Sequence, residues 1–332
     1  MKRLIIVIIT LLLCEFGTAG FVVAAGNWTK IKDSDGIKSY ERSIPRTDLR
    51  EFMAVTTIDA KMEVIGEVLR DVQEFPQWIT DCIGAQIEKR YDRNTFVMYL
   101  TLNPPFIEKR DIVLKDEAVY DYENGNARIN FFCTDEVKIP LEKKRTRVTV
   151  MQGFYRMEYL GRNKTKFIYK LKVDPAGDIP KRIAYAVMKT YPYDTLKKLK
   201  DIVTRSKYAE AAKGSEEERE INTRAVNENV VRKIFSNNLM KVVKNKTALA
   251  SIIADESENI KNIAASGSAY ANIEKAAKEV YSKYIEKIIV DKKKAEDLRN
   301  NKKMIAEITD LVTTSCEAND ETIDSIIDRY NK

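Results

Sequence analysis

The chain has 332 residues, 44% of them hydrophobic and 32% charged, so it can form one large domain or two moderate ones, each with a buried core. It contains no histidine, which excludes Ser-His-Asp and Cys-His catalysis, HExxH zinc sites and imidazole pH switches. The mild net charge of +7 and the lack of a helix-turn-helix, zinc-finger or RNA-binding aromatic signature predict no nucleic-acid partner, and the sequence predicts no metal and no cofactor.

Residues 1–25 are typical of an export signal. Lys2 and Arg3 precede an apolar run over 4–13, and small residues that suit cleavage follow it. Glu15 interrupts the run, which favours a cleaved signal and leaves an uncleaved N-terminal membrane anchor as the alternative. We therefore predict an exported protein, periplasmic if the source is a Gram-negative bacterium.

Three cysteines follow the signal: Cys82, Cys133 and Cys316. In an oxidising compartment Cys82 and Cys133 could form a disulfide and leave Cys316 free. Alternatively, both are buried thiols that act as small apolar side chains. The sequence leaves these two interpretations open.

Strand-like stretches separated by turn signals occupy the next part of the chain. The predicted strands are 49–58, 85–91, 95–102, 107–120, 127–134, 147–159 and 165–173. One helix interrupts them early, with Asp59 as its expected N-cap and Met62, Ile65 and Val68 at helical spacing. Sequential strands joined by short turns predict an antiparallel meander.

The strand over 95–102 has one apolar face, formed by Phe96, Met98, Leu100 and Leu102. These side chains could line a cavity or pack as filled core. Periodicity alone favours filled core, because protein interiors are close-packed.

The following strand contains the adjacent residues Arg110 and Asp111. Neighbours on a strand point to opposite faces, so the two cannot easily share one ligand, and we expect a structural ion pair or a backbone anchor. Asp116 shares the parity of Ile112 and Leu114. Because a lone buried carboxylate needs a donor or a proton, we expect Asp116 to lie in solvent past the sheet edge.

The segment 174–203 ends this part of the chain. Pro175 and Gly177 predict a turn, and Pro180 fits the first turn of a helix. An apolar stripe follows at helical spacing, formed by Ile183, Ala184, Val187, Met188 and Tyr191. Pro192 predicts a kink or a split into two helices.

Three basic residues, Lys181, Arg182 and Lys189, fall largely on the other face of this helix. We expect a solvated face. The alternative is an edge that docks on anionic lipid.

These landmarks together resemble the START family of steroidogenic-acute-regulatory-protein-related lipid-transfer domains, over about 26–203. In chain order they are Trp28, Asp33, Asp35-Gly36-Ile37, Tyr40, Asp71, Trp78, Pro104, Arg110-Asp111-Ile112-Val113, Gly153, Tyr155 and the Pro-Ala-Gly-Asp-Ile-Pro stretch over 175–180. The resemblance implies an α+β helix-grip fold for 26–206, in which a curved antiparallel sheet surrounds a long C-terminal helix.

The resemblance also implies a hydrophobic tunnel for one lipid-like molecule, a lid formed by the terminal helix, and no catalysis. It favours tunnel lining over filled core for the apolar face described above. The candidate cavity and lid residues are Trp78, Phe96, Met98, Leu100, Leu102, Ile112, Leu114, Ile183, Val187, Met188 and Tyr191. Part of the family places a charged pair inside the tunnel, and no acid–base pair occurs at the matching strand positions here.

The remaining residues, 215–332, lie outside the resemblance and are predicted to be all helical. Ser215 and Glu218 form an expected capping box, and apolar residues recur at helical spacing. We expect three to five helices, broken near Asp255, at 266–268 and near 319–320, packed beside the first domain. This extension is a candidate for binding a protein partner.

The sequence therefore predicts an exported, non-catalytic lipid-binding or lipid-transfer protein that makes transient membrane contact. A cyclase or hydrolase on the same scaffold is the first alternative, and it needs several ionisable groups that face one cavity. An envelope scaffold that binds a partner through the helical extension is the second, and a cavity below about 300 Å³ would favour it.

Overall fold

The computed structural model describes residues 26–224, 226–266, 269–289 and 291–331. The predicted export signal lies outside these residues. None of the helices within them combines the length and the apolar composition that a membrane crossing requires.

A ten-stranded sheet forms the first part of the described chain. Its strands are β1 Thr29–Ser34, β2 Ile37–Ser43, β3 Arg50–Ile58, β4 Cys82–Arg90, β5 Thr95–Leu102, β6 Lys109–Asp121, β7 Asn126–Cys133, β8 Arg145–Val148, β9 Val150–Gly161 and β10 Lys164–Asp174. Nine of them follow the order β1-β2-β3-β10-β9-β7-β6-β5-β4, and each pair on this path is antiparallel. The predicted antiparallel pairing of sequential strands is confirmed for β1-β2-β3, β4-β5-β6-β7 and β9-β10, whereas β3 pairs with β10, which is distant in the chain.

The prediction of one continuous strand over 147–159 is wrong. The strand is interrupted at Thr149, because β8 leaves the meander and pairs in parallel with the start of β6. Such a pairing joins residues far apart in the chain, and no local pattern indicates it.

Two helices lie between β3 and β4, namely α1 Met62–Arg70 and α2 Phe75–Trp78. The predicted cap at Asp59 is wrong, because the N-cap is Lys61 and no side chain of the described residues caps this helix. Asp59 instead lies 3.0 Å from Lys164 in an exposed ion pair.

Close approach across the sheet explains one landmark of the sequence. A side chain at Gly153 would place its Cβ 2.1 Å from the Lys170 carbonyl oxygen and 2.4 Å from the Phe131 ring. Only glycine fits there, since β9 and the Phe131 ring meet at this point of the concave face.

The helix that follows the sheet is split, as Pro192 predicts. Its parts are α3 Lys181–Met188 and α4 Tyr191–Ile202. Helix α4 packs into the concave face, and its Leu196 and Leu199 are fully buried. The Thr195 hydroxyl donates to the Thr80 hydroxyl at 3.1 Å, which fixes α4 beside α2.

The C-terminal part of the described chain is helical, with more and shorter helices than predicted. They are α5 Ser206–Ala212, α6 Glu216–Thr223, α7 Val226–Lys233, α8 Lys246–Asp255, α9 Ser257–Ala264, α10 Ala269–Ile288, α11 Lys292–Arg299, α12 Lys302–Thr313 and α13 Ile323–Tyr330. The predicted break near Asp255 is confirmed. At the start of α6 the Glu218 amide donates to the Ser215 hydroxyl, while the Glu218 carboxylate accepts from Gly214 instead of Ser215.

These helices cover the outer face of the sheet. A buried lysine of β10, Lys166, points outward and is only 1% exposed. Its ammonium group donates to the Glu158 carboxylate at 3.2 Å and to the carbonyl oxygen of Ser315 in the helical region. A buried charge without hydrogen-bond partners is costly, so this contact stabilises the packing of the helical region on the sheet.

Replacing this lysine should therefore destabilise the whole chain. We expect Lys166→Ala to lower the free energy of unfolding by about 3 kcal/mol, because Glu158 loses its buried partner. Lys172→Ala, a half-buried lysine of the same strand face, should cost less than about 1 kcal/mol. Urea unfolding of both variants measures the difference, and equal losses would contradict this role for Lys166.

Candidate functional site

The two halves of the split helix differ in how firmly they are held. In α4 the apolar residues Leu196 and Leu199 are fully buried, whereas in α3 Ile183 and Ala184 are half-buried and only the last two residues, Val187 and Met188, are buried. Helix α3 therefore lies over the edge of the sheet and leaves space beneath it.

That space is a cavity of about 500 Å³ between α3, the ends of β3 and β10, and the turn after β10. Its apolar lining includes Phe52, Val173, Ile179, Ala184, Tyr185 and Met188. The volume lies within the range of about 300–1,000 Å³ that is common for small-molecule sites. We call it the lid cavity.

Polar contacts hold α3 over the lid cavity. Lys181 donates to Asp48 at 2.7 Å, and both side chains are more than three-quarters exposed. The Tyr185 hydroxyl donates to Glu41 at 3.0 Å. Exposed ion pairs contribute little, about 0–1 kcal/mol, so these contacts position α3 without fastening it.

The turn beneath α3 is held by Arg110. Its guanidinium donates to the carbonyl oxygens of Pro175 at 3.0 Å and Ala176 at 3.1 Å. Gly177 follows with a φ of 75°, and a Cβ there would lie 3.2 Å from the same guanidinium. Arg110 is thus an anchor for the backbone of the turn.

The expected ion pair between Arg110 and Asp111 does not form. Asp111 faces the opposite side of β6, where Arg147 donates to both carboxylate oxygens at 2.8 and 2.9 Å and Tyr99 donates at 2.9 Å. Burial opposes its ionisation, but these donors bring the pKa of Asp111 below its ordinary value. The role of Asp111 is structural.

Of the predicted cavity and lid residues, Met188 lines the lid cavity. Ile183 is half-buried beside it. The others are buried in the main core: Trp78, Phe96, Met98, Leu100, Leu102, Ile112, Leu114, Val187 and Tyr191. Sequence reasoning missed Phe52 and Val173, although each continues an alternating strand pattern toward the strand end nearest the cavity.

Aromatic rings occupy the concave interior beyond the cavity. The Tyr155 ring lies 4.8 Å from Tyr169, 5.2 Å from Phe131 and 6.0 Å from Trp78, measured between ring centroids. All four residues are buried. A guest that extends past the lid cavity must displace some of these rings.

Asp116 lies farther along β6 and is the exception in this interior. The expectation that it reaches solvent is wrong: it is 2% exposed, opposite Phe96 on β5 and Phe131 on β7. Its Oδ1 has no hydrogen-bond partner among the described residues. Burial raises the pKa of Asp116 to about 8, so the carboxyl group is largely protonated at neutral pH.

The cysteines form no disulfide among the described residues. Cys82 and Cys316 are buried and Cys133 is half-buried, each as a free thiol. Of the two interpretations of the sequence, the structure therefore shows the unpaired one.

Comparisons with known proteins agree with this architecture. The START domain family profile matches residues 20–208. An uncharacterized protein of Pseudomonas aeruginosa is 27% identical over 186 residues, which cover 56% of this chain and 90% of that protein. The crystal structure of a STAR-related lipid transfer protein from Xanthomonas axonopodis is 26% identical with a TM-score of 0.50, and the match covers 54% of this chain and 99% of that one. Human STARD10 is 20% identical with a TM-score of 0.49 over 56% of this chain and 76% of that one.

The buried carboxyl group predicts a pH dependence of stability. The pKa of Asp116 is raised from 3.8 in the unfolded chain to about 8 in the folded one, so its contribution is most favourable below about pH 4 and is lost as the pH rises toward 8. Asp116→Asn cannot ionise. We expect this variant to be more stable than the wild type at pH 7 by roughly 2–4 kcal/mol.

The advantage should shrink as the pH falls toward about 4, because both proteins then carry a neutral side chain. Urea unfolding across this range measures it. Glu117→Gln, the neighbouring residue on the opposite face of β6, is the control and should show no such trend. A stability difference that does not change with pH would exclude a buried, neutral Asp116.

Proposed function

Because this chain belongs to the START domain family, we propose that it is an exported, non-catalytic protein that binds one lipid-like ligand and transfers it. The observation that carries the proposal is the lid cavity, an apolar space of about 500 Å³ under a loosely held helix. Its volume exceeds the roughly 300 Å³ below which a pure scaffold would be favoured. The driving force is burial of ligand hydrocarbon, about 0.8 kcal/mol for each CH₂ group.

In this proposal, α3 is the moving lid and α4 stays in place. Opening α3 breaks an exposed ion pair and the Tyr185 hydrogen bond, and it exposes two buried side chains of α3, Val187 and Met188. Opening α4 would expose Leu196 and Leu199, at about 1.5–3 kcal/mol for each side chain. The break between the helices at Lys189 and Thr190 lets one move without the other.

The ligand enters at the lid cavity and extends toward Asp116. Arg110 contacts the turn that lines the cavity, and Asp116 is six residues farther along β6, about 20 Å away in an extended strand. A hydrocarbon chain replaces the ring contacts of Tyr155 and its neighbours on this path. A hydroxyl or carbonyl at its leading end would then bond the carboxyl group of Asp116, which lacks a partner for Oδ1.

Transient membrane contact supplies the lipid. The loop before Arg110 presents Phe106, which is 90% exposed and has a φ of 67°. Lys181 and Arg182 are exposed on α3 at the rim of the lid cavity. An exposed aromatic ring and exposed basic residues each suit the interface of an anionic membrane.

Filling the lid cavity should prevent loading. Ala184→Trp projects an indole into the cavity, whereas Ala186→Trp places the same side chain on the exposed face of α3. We expect the first variant to bind lipid about tenfold or more weakly and the second to match the wild type. Organic extraction of each purified protein, followed by mass spectrometry, gives the lipid-to-protein ratio. Equal ratios in both variants, or wild-type protein that takes up no lipid class, would overturn the proposal.

Removing the exposed ring should slow transfer without affecting the cavity. Burial of one phenylalanine in a membrane is worth about 1.5–3 kcal/mol, so Phe106→Asp should lower membrane affinity by roughly tenfold to a hundredfold. Val119→Asp changes another exposed apolar residue, 62% exposed near the far end of β6, and should have little effect. Vesicle flotation and transfer of a fluorescent lipid between vesicles measure both. If the two variants transfer equally, Phe106 is not the docking residue.

A further inference from the structure

A second cavity lies on the outer face of the sheet, away from the lid cavity. It has a volume of about 660 Å³ and lies between β9, β10 and the helical region that covers them. The cations that line it are Arg128, Arg156, Lys166, Lys170, Lys233 and Lys241, and the acids are Glu158 and Glu317. The lining therefore has a formal excess of four positive charges. We call it the basic groove.

Both acids of the groove are already paired with cations. Glu158 is shared, since it accepts from Lys166 at 3.2 Å and lies 3.1 Å from Arg156. Glu317 pairs with Lys170 at 3.2 Å, and Lys170 also lies 3.6 Å from Glu51. Arg128 stacks on the Phe154 ring, 3.8 Å from the centroid, and donates to the Asn130 side chain at 2.7 Å, whereas no carboxylate of the described residues forms an ion pair with it.

The groove also contains polar atoms that lack a partner. Ser315 is 3% exposed, and its hydroxyl has no hydrogen-bond partner among the described residues. The same is true of the buried Nε of Arg156. Both groups are hydrogen-bond donors, so each lacks an acceptor.

The pKa values of the groove residues also favour an anion in the groove. Burial opposes ionisation of Glu158, yet Lys166, Arg156 and Lys233 together lower its pKa to about 2. Burial and the neighbouring Arg156 lower the pKa of both Lys166 and Arg128. Repulsion between like charges in a partly enclosed space is relieved when an anion binds.

We propose that the basic groove binds a phosphate-bearing anion, held by Arg128, Arg156 and Lys241 with the Ser315 hydroxyl as a further donor. Phosphate suits this set because its oxygens accept several charge-assisted hydrogen bonds at once, including two from one guanidinium. The groove is formed by the sheet on one side and by the helical region on the other, so the anion bridges the two parts of the chain. Its source is either a soluble phosphorylated molecule or a phospholipid headgroup.

Inorganic pyrophosphate and vesicles serve as the two probes. Arg128→Gln combined with Lys241→Gln removes two exposed cations of the groove, and Lys275→Gln combined with Lys278→Gln removes two exposed cations of α10 outside it. Each lost contact to a charged group should weaken binding by about tenfold. Calorimetry in buffers of matched chloride ionic strength measures pyrophosphate binding, and flotation measures phosphatidylcholine vesicles with and without phosphatidic acid.

We expect the groove variant to lose pyrophosphate affinity and the α10 variant to keep it. Added pyrophosphate should raise the unfolding temperature only of the proteins that bind it. The same pattern seen only with phosphatidic acid assigns the site to a headgroup. Wild-type protein that binds neither probe above the chloride control would overturn the proposal, as would equal losses in the two variants. The lid cavity is untouched by these changes, so the result is independent of lipid loading.

Discussion

The burial of α4 in the concave face of the sheet is the contact on which the rest of this structure depends. Leu196, Leu199 and Ile202 are each at most 3% exposed, and each contributes about 1.5–3 kcal/mol by leaving water. This helix packs against β2, β3 and β10. The helix is interrupted before Tyr191, so α3 does not continue the path of α4 into the concave face. The lid cavity is the space left beneath α3.

The sequence predicts those parts of this arrangement that depend on neighbouring residues. One apolar face between the turn signals at Asn94 and Asn103 predicts β5 to its last residue, and Pro192 predicts the split helix. The parallel pairing of β8 and the lining of the lid cavity could not be predicted, because both depend on residues that are distant in the chain. Asp116 was misplaced for the same reason: Gly66 and Leu69 of α1, which are distant in the chain, lie around it on this face of the sheet.

Two carboxylates of β6 have different roles, one structural and one in the candidate site. The Asp111 carboxylate accepts three hydrogen bonds and stays ionised, so it stabilises the sheet where β8 joins. Asp116, five residues later, is as deeply buried but lacks a partner for Oδ1. An unsatisfied buried group costs stability, and folded proteins retain such groups mainly where function needs them.

The outer face of the sheet explains why the helical region belongs to the same structural unit. Tyr40, Met53, Val55 and Ile168 point outward, and they are buried under Cys316 and Ala318. Without that cover, a contiguous apolar surface and the ammonium group of Lys166 would face water and lose their packing and partners. The helical region after residue 208 lies outside the family match, yet it buries this face of the sheet. The seam between the two parts is therefore buried, and it brings several cations of the sheet and the helical region close together.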